Sequence, residues 1–508
     1  MSVRPPRVHL TYDLESPEGT EARELPFVIG VLAGLSGQPQ ESLPPLRWRR
    51  FIEIDRDNFD QVLAAMAPRL VAGPGVELRF RALADFAPEG IVSQTAPLNV
   101  SLDAILHAPE FQRLEATWRG LHYLVWETET SERLRIRVLN ASQAELRDDF
   151  EEAVAVEQSA LYRMAYEEVY GMAGAEPFGV LIGDYEFGHE PEDVDLLENI
   201  SKVAAAAHAP LIAAAGPQMF GWKTFAELAE AGALGRIFEG EAYSRWRAFR
   251  SADTATYVCL VLPRILLRLP YGAETMPVVG FRYEEDVSAP GHSQLLWGNA
   301  AYALAVRLAE AFRVYGWCAA IQGVEGGGLV TNLPGFMGCP TEAPIPERCE
   351  AELNRLGFIS LCHWVGTDLA CFFSTASCLE PRQYQSDTVT AATILSGRLP
   401  YILAVSRFAH YLKAMMRDKL GSFVGREDRE RFLNDWINRY VMLDEDASQE
   451  AKALYPLAEA RVEVAEDPDK PGRYLAVAFL RPHFQLQDPG VAVRVVVELP
   501  APADRLFS

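Results

Sequence analysis

The 508-residue sequence has no run of about 18 consecutive apolar residues, the length a membrane-spanning helix needs. The nearest candidate, Val203 to Ala215, is alanine-rich and interrupted by His208 and Pro210. At the N-terminus Arg4 and Arg7 are followed by Asp13 and Glu15 where a secretory leader would place its apolar core. Neither export nor direct membrane insertion is expected. Cysteine is sparse as well: seven residues, an odd number, with no C-x-x-C pair. That excludes a disulfide framework and points to reduced thiols in a cytosolic protein. Five of the seven fall between positions 339 and 378, and Cys362 adjoins His363, but the spacing fits no zinc template. They read as buried structural thiols. Positive charge is also short, since 47 Lys plus Arg against 70 Asp plus Glu leaves −23. Such a field repels phosphate backbones, so nucleic acid is not expected as a partner. Copies of the chain must pair charge across their contacts to assemble, with a response to salt.

Catalytic signatures are missing too. In Gly216-Pro-Gln-Met-Phe-Gly221-Trp222-Lys223-Thr224 a tryptophan stands where a P-loop requires lysine, which puts the ammonium out of register with the loop amides. The Gly323 to Gly328 cluster lacks the G-x-G-x-x-G order and reads as a tight turn. No G-x-S-x-G elbow, H-E-x-x-H helix or EF-hand loop occurs. His410 lies on an apolar helix and reads as a satisfied core or interface histidine. The carboxylate pairs Glu151–Glu152 and Glu284–Glu285 come with no His, Lys or Ser partner that would make a catalytic constellation. No catalytic residue, cofactor or metal is expected.

What is present is globular: 49% of residues are hydrophobic, and the length suits about two to four domains. Val8, Leu10, Tyr12 and Leu14 alternate with polar residues, which predicts a strand over 6–14. Further strands are predicted over 26–32, 50–54 and 76–80, around a helix carrying Phe59, Val62, Leu63 and Met66 that Asp57 or Asn58 caps. Residues 87–98, with Pro88, Gly90 and Pro97, read as a connector. After it come a helix with Phe111, Leu114, Trp118 and Leu121, then a strand over 133–140. Between 145 and 198 carboxylates heavily outnumber Arg147 and Arg163, which predicts solvated helix faces backed by Val154, Leu161, Met164 and Ala165. Strands over 178–182, 210–215 and 257–262 alternate with a helix over 194–206. Trp297, Ala301, Leu304, Leu308, Ala311 and Tyr315 align on one helix face that Gly316 ends, before a strand over 317–321. Tyr401, Val405, Phe408, Leu412 and Met415, widened by Ile402, Ala409 and Met416, imply a helix packed on more than one side and ending at Gly421. Phe432, Leu433, Trp436, Ile437 and Tyr440 form another face. Two strands close the chain, over 474–480 and 491–499, the second with Val491, Val493, Val495, Val497 and Leu499 on one side. This order is that of a mixed α/β protein.

Long motifs then carry a family resemblance. "PLNVSLDAILHAPEFQRLEATWRGLHYLV", "RIRVLNAS", "GVLIGDYEFG", "LPRILLRLPYG", "YGWCAAIQGVEGGGLV", "RLPYILAVSRFAHYLKAMMRDKLGSF" and "AFLRPHFQL" resemble, in order, the large subunit of the type VI secretion contractile sheath. "RPPRVHLTYDLE", "ELPFVIGVLAGLSG" and "FIEIDRDNFDQVLAAMAPRL" resemble the small sheath subunit. The chain is thus similar to a fusion, with 1–96 the small-subunit-like α/β unit and 97–508 the large-subunit-like region, of two or more domains with about 320–508 in the sheath core. The resemblance implies an α/β, mixed-sheet, contractile-tail-sheath-like fold and a structural protomer instead of an enzyme. It also implies a helical homopolymer around an inner tube protein, seated on baseplate components. Terminal strands are implied to link protomers by sheet sharing, through Val8, Leu10, Tyr12 and Leu14 at one end and Val491, Val493, Val495, Val497 and Leu499 at the other. Segments expected on both sides of the junction are missing, among them the piece on which the family's disassembly ATPase docks, which leaves recycling by that ATPase in doubt. The alternatives are a non-contractile or regulatory sheath homologue and a cytosolic α/β enzyme with an unrecognised site.

Overall fold

The computed structural model describes residues 7–16, 19–73, 76–95, 101–172, 174–288, 293–336, 338–364, 367, 369–382, 387–419, 425–444, 451, 454–466, 474–482 and 493–498. Its centre is a nine-stranded sheet. Across the sheet the strands run Leu329–Val330, Ala370–Phe372, Phe358–His363, Val258–Leu262, Leu211–Ala215, Phe178–Phe187, Phe27–Ala33, Leu134–Asn140 and Ile52–Ile54. The six from Phe358–His363 to Leu134–Asn140 are parallel, and the outer strands on both sides are antiparallel. Parallel strands are covered on both faces, which accounts for apolar runs such as Phe27–Ala33, where every residue is buried.

Alternation splits that strand between two cores. Phe27, Ile29, Val31 and Ala33 join Trp118, Leu121, Leu304 and Phe312, from helices Pro109–Glu127 and Ala301–Tyr315, on one face. Val28 and Leu32 join Leu146, Leu197 and Ile200, from helices Gln143–Glu152 and Pro191–Ala207, on the other. A third core lies against helix Leu399–Asp418. It gathers Val8, Leu10, Tyr12 and Leu25 with Phe408, Leu412, Trp436 and Val462. A sheet of Leu457–Glu466, Tyr474–Pro482 and Val493–Glu498 closes this end. No described helix is long and apolar enough to cross a membrane.

The first ninety-odd residues are not set apart from the rest. Phe27–Ala33 pairs with Leu134–Asn140 on one side and with Phe178–Phe187 on the other, in the interior of the sheet. The contacts interlock there: a Cβ at Gly179 would stand 2.3 Å from the Phe27 ring, and one at Gly30 would stand 2.8 Å from Phe178.

Several expectations are corrected. Arg7–Thr11 carries no sheet pairing, and the strand is Tyr12–Ser16, in a hairpin with Gly19–Arg23. The connector over 87–98 holds the helix Pro88–Thr95. Pro88 takes the first position, where its missing N–H costs nothing. Gly90 packs where a Cβ would come within 2.6 Å of the Asp85 backbone. Asn58 makes no side-chain cap bond to the helix after it, because its Oδ1 accepts the Asp55 amide at 2.9 Å. Val154 lies past the end of its helix and is 92% exposed, while Leu161, Met164 and Ala165 are buried as expected. Residues 317–321 form no strand. The Gly323–Gly328 turn is as tight as expected, with the Gly328 amide on the Gly323 carbonyl at 2.8 Å. Gly421, Val491 and Leu499 lie outside the described residues.

Gly179→Ala should force the Phe27 ring out of its seat and lower stability by about 1–3 kcal/mol, the usual cost of overpacking a filled core. Chemical denaturation reads this as a lower midpoint. Adding Phe27→Leu should recover part of the loss, and an unchanged midpoint in the single variant would contradict the close packing.

Candidate assembly site

One backbone bond and several side chains hold the N-terminal segment where a strand would be held by a backbone ladder. Val8 donates its amide to the Tyr315 carbonyl at 2.8 Å, beside Gly316, where a Cβ would fall 2.1 Å from the Val8 oxygen. Gly316 has φ 77°, so glycine is required there for both conformation and space. The Leu10 carbonyl accepts from the Tyr411 hydroxyl at 2.5 Å, and the Leu25 amide donates to that hydroxyl at 2.9 Å. The Thr11 carbonyl accepts from Trp436 Nε1 at 2.8 Å and from the Tyr440 hydroxyl at 2.9 Å. Tyr12 donates to Asp418 Oδ2 at 2.6 Å, and burial, followed by that carboxylate, raises its pKa. Val8, Leu10 and Tyr12 therefore point into the chain's own third core.

The predicted linking residues divide between the two ends. Tyr12–Ser16 pairs with Gly19–Arg23 at five positions, and Leu14 lies in that strand. Val493, Val495 and Val497 lie in Val493–Glu498, which pairs with Tyr474–Pro482 from Leu475↔Glu498 to Leu480↔Val493. Val497 is buried. Among the described residues no strand pairs with the outer edge of Val493–Glu498 or of the hairpin. These rows of backbone donors and acceptors are what an added strand needs.

Helix Leu399–Asp418 turns basic side chains inward at Arg407, His410, Lys413 and Arg417, all nearly fully buried. Each reaches backbone carbonyls. Arg407 donates to the Pro26 oxygen at 2.9 Å and to Leu25. His410 Nε2 donates to Ala207 and His208 at 3.2 and 3.0 Å, and Lys413 Nζ donates to Ala206 at 2.6 Å. Arg417 Nη1 serves Val169 and Ala175, both at 2.9 Å. Residues 206–208 end helix Pro191–Ala207, where carbonyls lack intrahelical partners and the helix dipole is negative. Lys413 also lies over the Tyr166 and Tyr170 rings, at 4.6 and 4.9 Å. Burial, then Arg407 and Lys413, push the His410 pKa down to about 3, so the ring is neutral with its proton on Nε2. It is a core histidine, as its sequence context indicated, bonded through Nε2 while the buried Nδ1 has no hydrogen-bond partner among the described residues.

The residues tempting for chemistry resolve differently. Around Gly216 the loop amides are consumed internally: Gly216 donates to Phe187, Met219 to Gly216, Gly221 to Gln218 and Trp222 to Pro217. Those four are thus unavailable to a phosphate, and Lys223 is exposed. Every cysteine is a free thiol, buried except for the half-buried Cys339, and no described cluster could hold a metal ion. Glu285 does have a histidine partner, contrary to expectation: His107 Nε2 lies 3.3 Å away. The same carboxylate binds Arg268 at 2.7 Å, and Arg268 also binds Glu115 at 3.0 Å. Burial alone would raise the Glu115 pKa, but Arg268 and Arg119 outweigh it and hold it below the ordinary value. This is a neutralised structural network. Its members are some 150 residues or more apart in places, beyond the reach of local motifs.

Three family profiles match. "Type VI secretion system, VipA, VC_A0107 or Hcp2" covers residues 1–107, "EvpB/VC_A0108, tail sheath N-terminal domain" covers 91–379, and "EvpB/VC_A0108, tail sheath gpW/gp25-like domain" covers 388–499. The type VI secretion system sheath protein TssC1 of Pseudomonas aeruginosa PAO1 is 44% identical over 424 residues, which is 81% of this chain and 85% of that protein. Sheath protein TssB1 of the same organism is 38% identical over 111 residues, 20% of this chain and 64% of TssB1. The chain therefore spans 64% of the small-subunit relative's length. Two solved structures of the anti-feeding prophage are distant likenesses. The helical sheath in its contracted state has a TM-score of 0.40 at 11% identity, covering 100% of this chain and 96% of that one. The six-fold symmetrised baseplate has a TM-score of 0.37 at 10% identity, covering 96% and 95%.

The His410 geometry fixes the sign of a pH effect. Unfolded imidazole takes a proton near pH 6.5, while the folded ring resists until about 3, so the stability it confers is full above 6.5 and is lost as pH falls toward 3. His410→Gln keeps an N–H donor but cannot titrate. Its denaturation midpoint should fall less than that of the natural chain between pH 7.5 and 5, and parallel profiles would refute the assignment.

Proposed function

The chain belongs to the type VI secretion sheath family, and from that premise we propose that it is the repeating protomer of a contractile sheath, carrying small- and large-subunit roles in one polypeptide. The observation that carries this is a single body in which the segment matched to the small-subunit profile supplies an interior strand to the sheet of the segment matched to the large. In this reading copies of the chain wind helically in the bacterial cytoplasm around an inner tube protein, stand on baseplate components, and contract to drive the tube. Energy stored in the extended lattice drives contraction, so the protomer needs no nucleotide of its own. Its role is structural, without catalysis.

The proposed links are the terminal edges: the hairpin that begins at Tyr12, and the strand bearing Val493, Val495 and Val497. Val8, Leu10 and Tyr12 act here as anchors and Leu14 as part of the linking strand. Each added backbone bond contributes about 0.5–1.5 kcal/mol net, enough in rows to couple neighbours while the flanks turn. The net charge of −23 opposes association unless faces pair, so tube formation should depend on ionic strength.

Purified protein supplied with its tube protein should form hollow tubules by electron microscopy across a salt series. Monomers or small closed oligomers under all conditions would sink the reading. Val495→Pro and Val496→Pro, made singly, separate the two edges, because neighbouring residues aim their N–H groups to opposite sides of a strand. One should melt early through loss of a ladder bond, and the other should fold normally yet fail to polymerise.

A further inference from the structure

In the relatives the two sheath proteins are separate chains, TssB1 and TssC1, each matching one part of this one. The strand that joins those parts here leaves no vacancy. Phe27–Ala33 pairs at seven positions with Leu134–Asn140 and at five with Phe178–Phe187, so both its edges are taken. Both of its ends are tied down. The Phe27 amide donates to the Arg133 carbonyl at 2.7 Å, and the Ala33 carbonyl accepts from Ala141 at 2.8 Å. Just beyond, the Leu35 amide donates to Asn140 Oδ1 at 2.9 Å and the Leu35 carbonyl accepts from Trp118 Nε1 at 3.0 Å, while Arg407 holds Leu25 and Pro26. The glycine contacts at Gly30 and Gly179 add a steric key cut for Phe27 and Phe178.

We propose that this slot is closed to free small sheath subunits: the chain's own strand, tethered through the short stretch 96–100, outcompetes any strand offered from solution, so the sheath is built of this chain alone. The inference rests on the sheath reading above and adds its stoichiometry. A short tether gives an effective concentration in the millimolar range, so a competitor of equal intrinsic affinity at ~10 μM is disfavoured about a hundredfold. Extraction of a fully buried strand adds a kinetic barrier to that equilibrium.

The test uses the full chain, intact and carrying a specific protease site within residues 96–100 that is cut after folding. Each form is incubated with affinity-tagged TssB1 of Pseudomonas aeruginosa at ~10 μM, taken through mild urea and back, and pulled down on the tag. The intact chain should be recovered at about a hundredth of stoichiometric or less. The cut chain should be recovered at a level set by the mixing ratio. Comparable recovery of both forms overturns the proposal, and so does background recovery of both, since the tether then excludes nothing. Tubule formation is scored separately by microscopy: tubules that contain TssB1 refute this inference and leave the sheath reading standing, whereas exclusion of TssB1 without tubules does the reverse.

Discussion

Arg407, His410, Lys413 and Arg417 reach from one helix to backbone carbonyls in two other parts of the chain, and the arrangement of the molecule depends on these contacts. Arg407 takes Leu25 and Pro26 at the entry to the interior strand, and His410 and Lys413 take the end of helix Pro191–Ala207. Arg417 takes Val169 and Ala175. A carbonyl buried without a partner costs about 1–3 kcal/mol, and a buried cation without one costs more. Docking this helix removes both penalties at once, and moving it would restore both. The cations also have a second use in so acidic a protein. Placed inside, Lys413 offsets the negative end of helix Pro191–Ala207, and Arg417 pairs with the neighbouring Asp418 at 2.7 Å.

The same helix joins all three family-matched segments. It lies in the gpW/gp25-like part, grips the N-terminal sheath domain through residues 169–208, and holds the small-subunit-like part through Leu25, Pro26 and the Tyr411 hydroxyl. The sheet joins two of them again through Phe27–Ala33. Two independent ties, one of side chains on carbonyls and one of strand in sheet, make the protomer resist shear between its parts. A unit that transmits load along a polymer needs that stiffness, with compliance placed at the links between units.

Much of this was legible in the sequence. The wide apolar stripe of Tyr401 to Met416 called for a helix covered on more than one side, and the long motifs pointed to both sheath subunits. The polar ladder on the same helix was not legible, because Arg407, His410, Lys413 and Arg417 have the spacing of an ordinary solvated face and only the fold reveals carbonyls opposite them. Strand Leu457–Glu466 was missed for a related reason. Its Leu-Ala-Glu-Ala-Arg-Val-Glu-Val-Ala-Glu run is made largely of helix formers, and the alternation of Val462 and Val464 is too short to oppose that propensity. Pairing with Tyr474–Pro482 and packing on helix Arg426–Ile437 decide the matter. The Glu115–Arg268–Glu285–His107 network and the exposure of Val154 likewise follow from tertiary placement.

The N-terminal strand shows where local pattern and assembly part company. Alternation over 6–14 indicated a strand with one buried face, and that face is buried, but against the chain's own helices with Trp436, Tyr440 and Tyr411 standing in for a strand ladder. Sheet pairing begins only at Tyr12. Anchor and link are thereby separated along a few residues. Val8, Leu10 and Tyr12 are fixed by burial and cannot swing out without opening the third core, whereas the hairpin beyond them is joined by backbone bonds and pairs with no third strand among the described residues. With the hairpin edge as the link proposed above, adjacent protomers would turn about it while the core that anchors it stays shut, and the motion would fall on backbone bonds that each contribute only about 0.5–1.5 kcal/mol net.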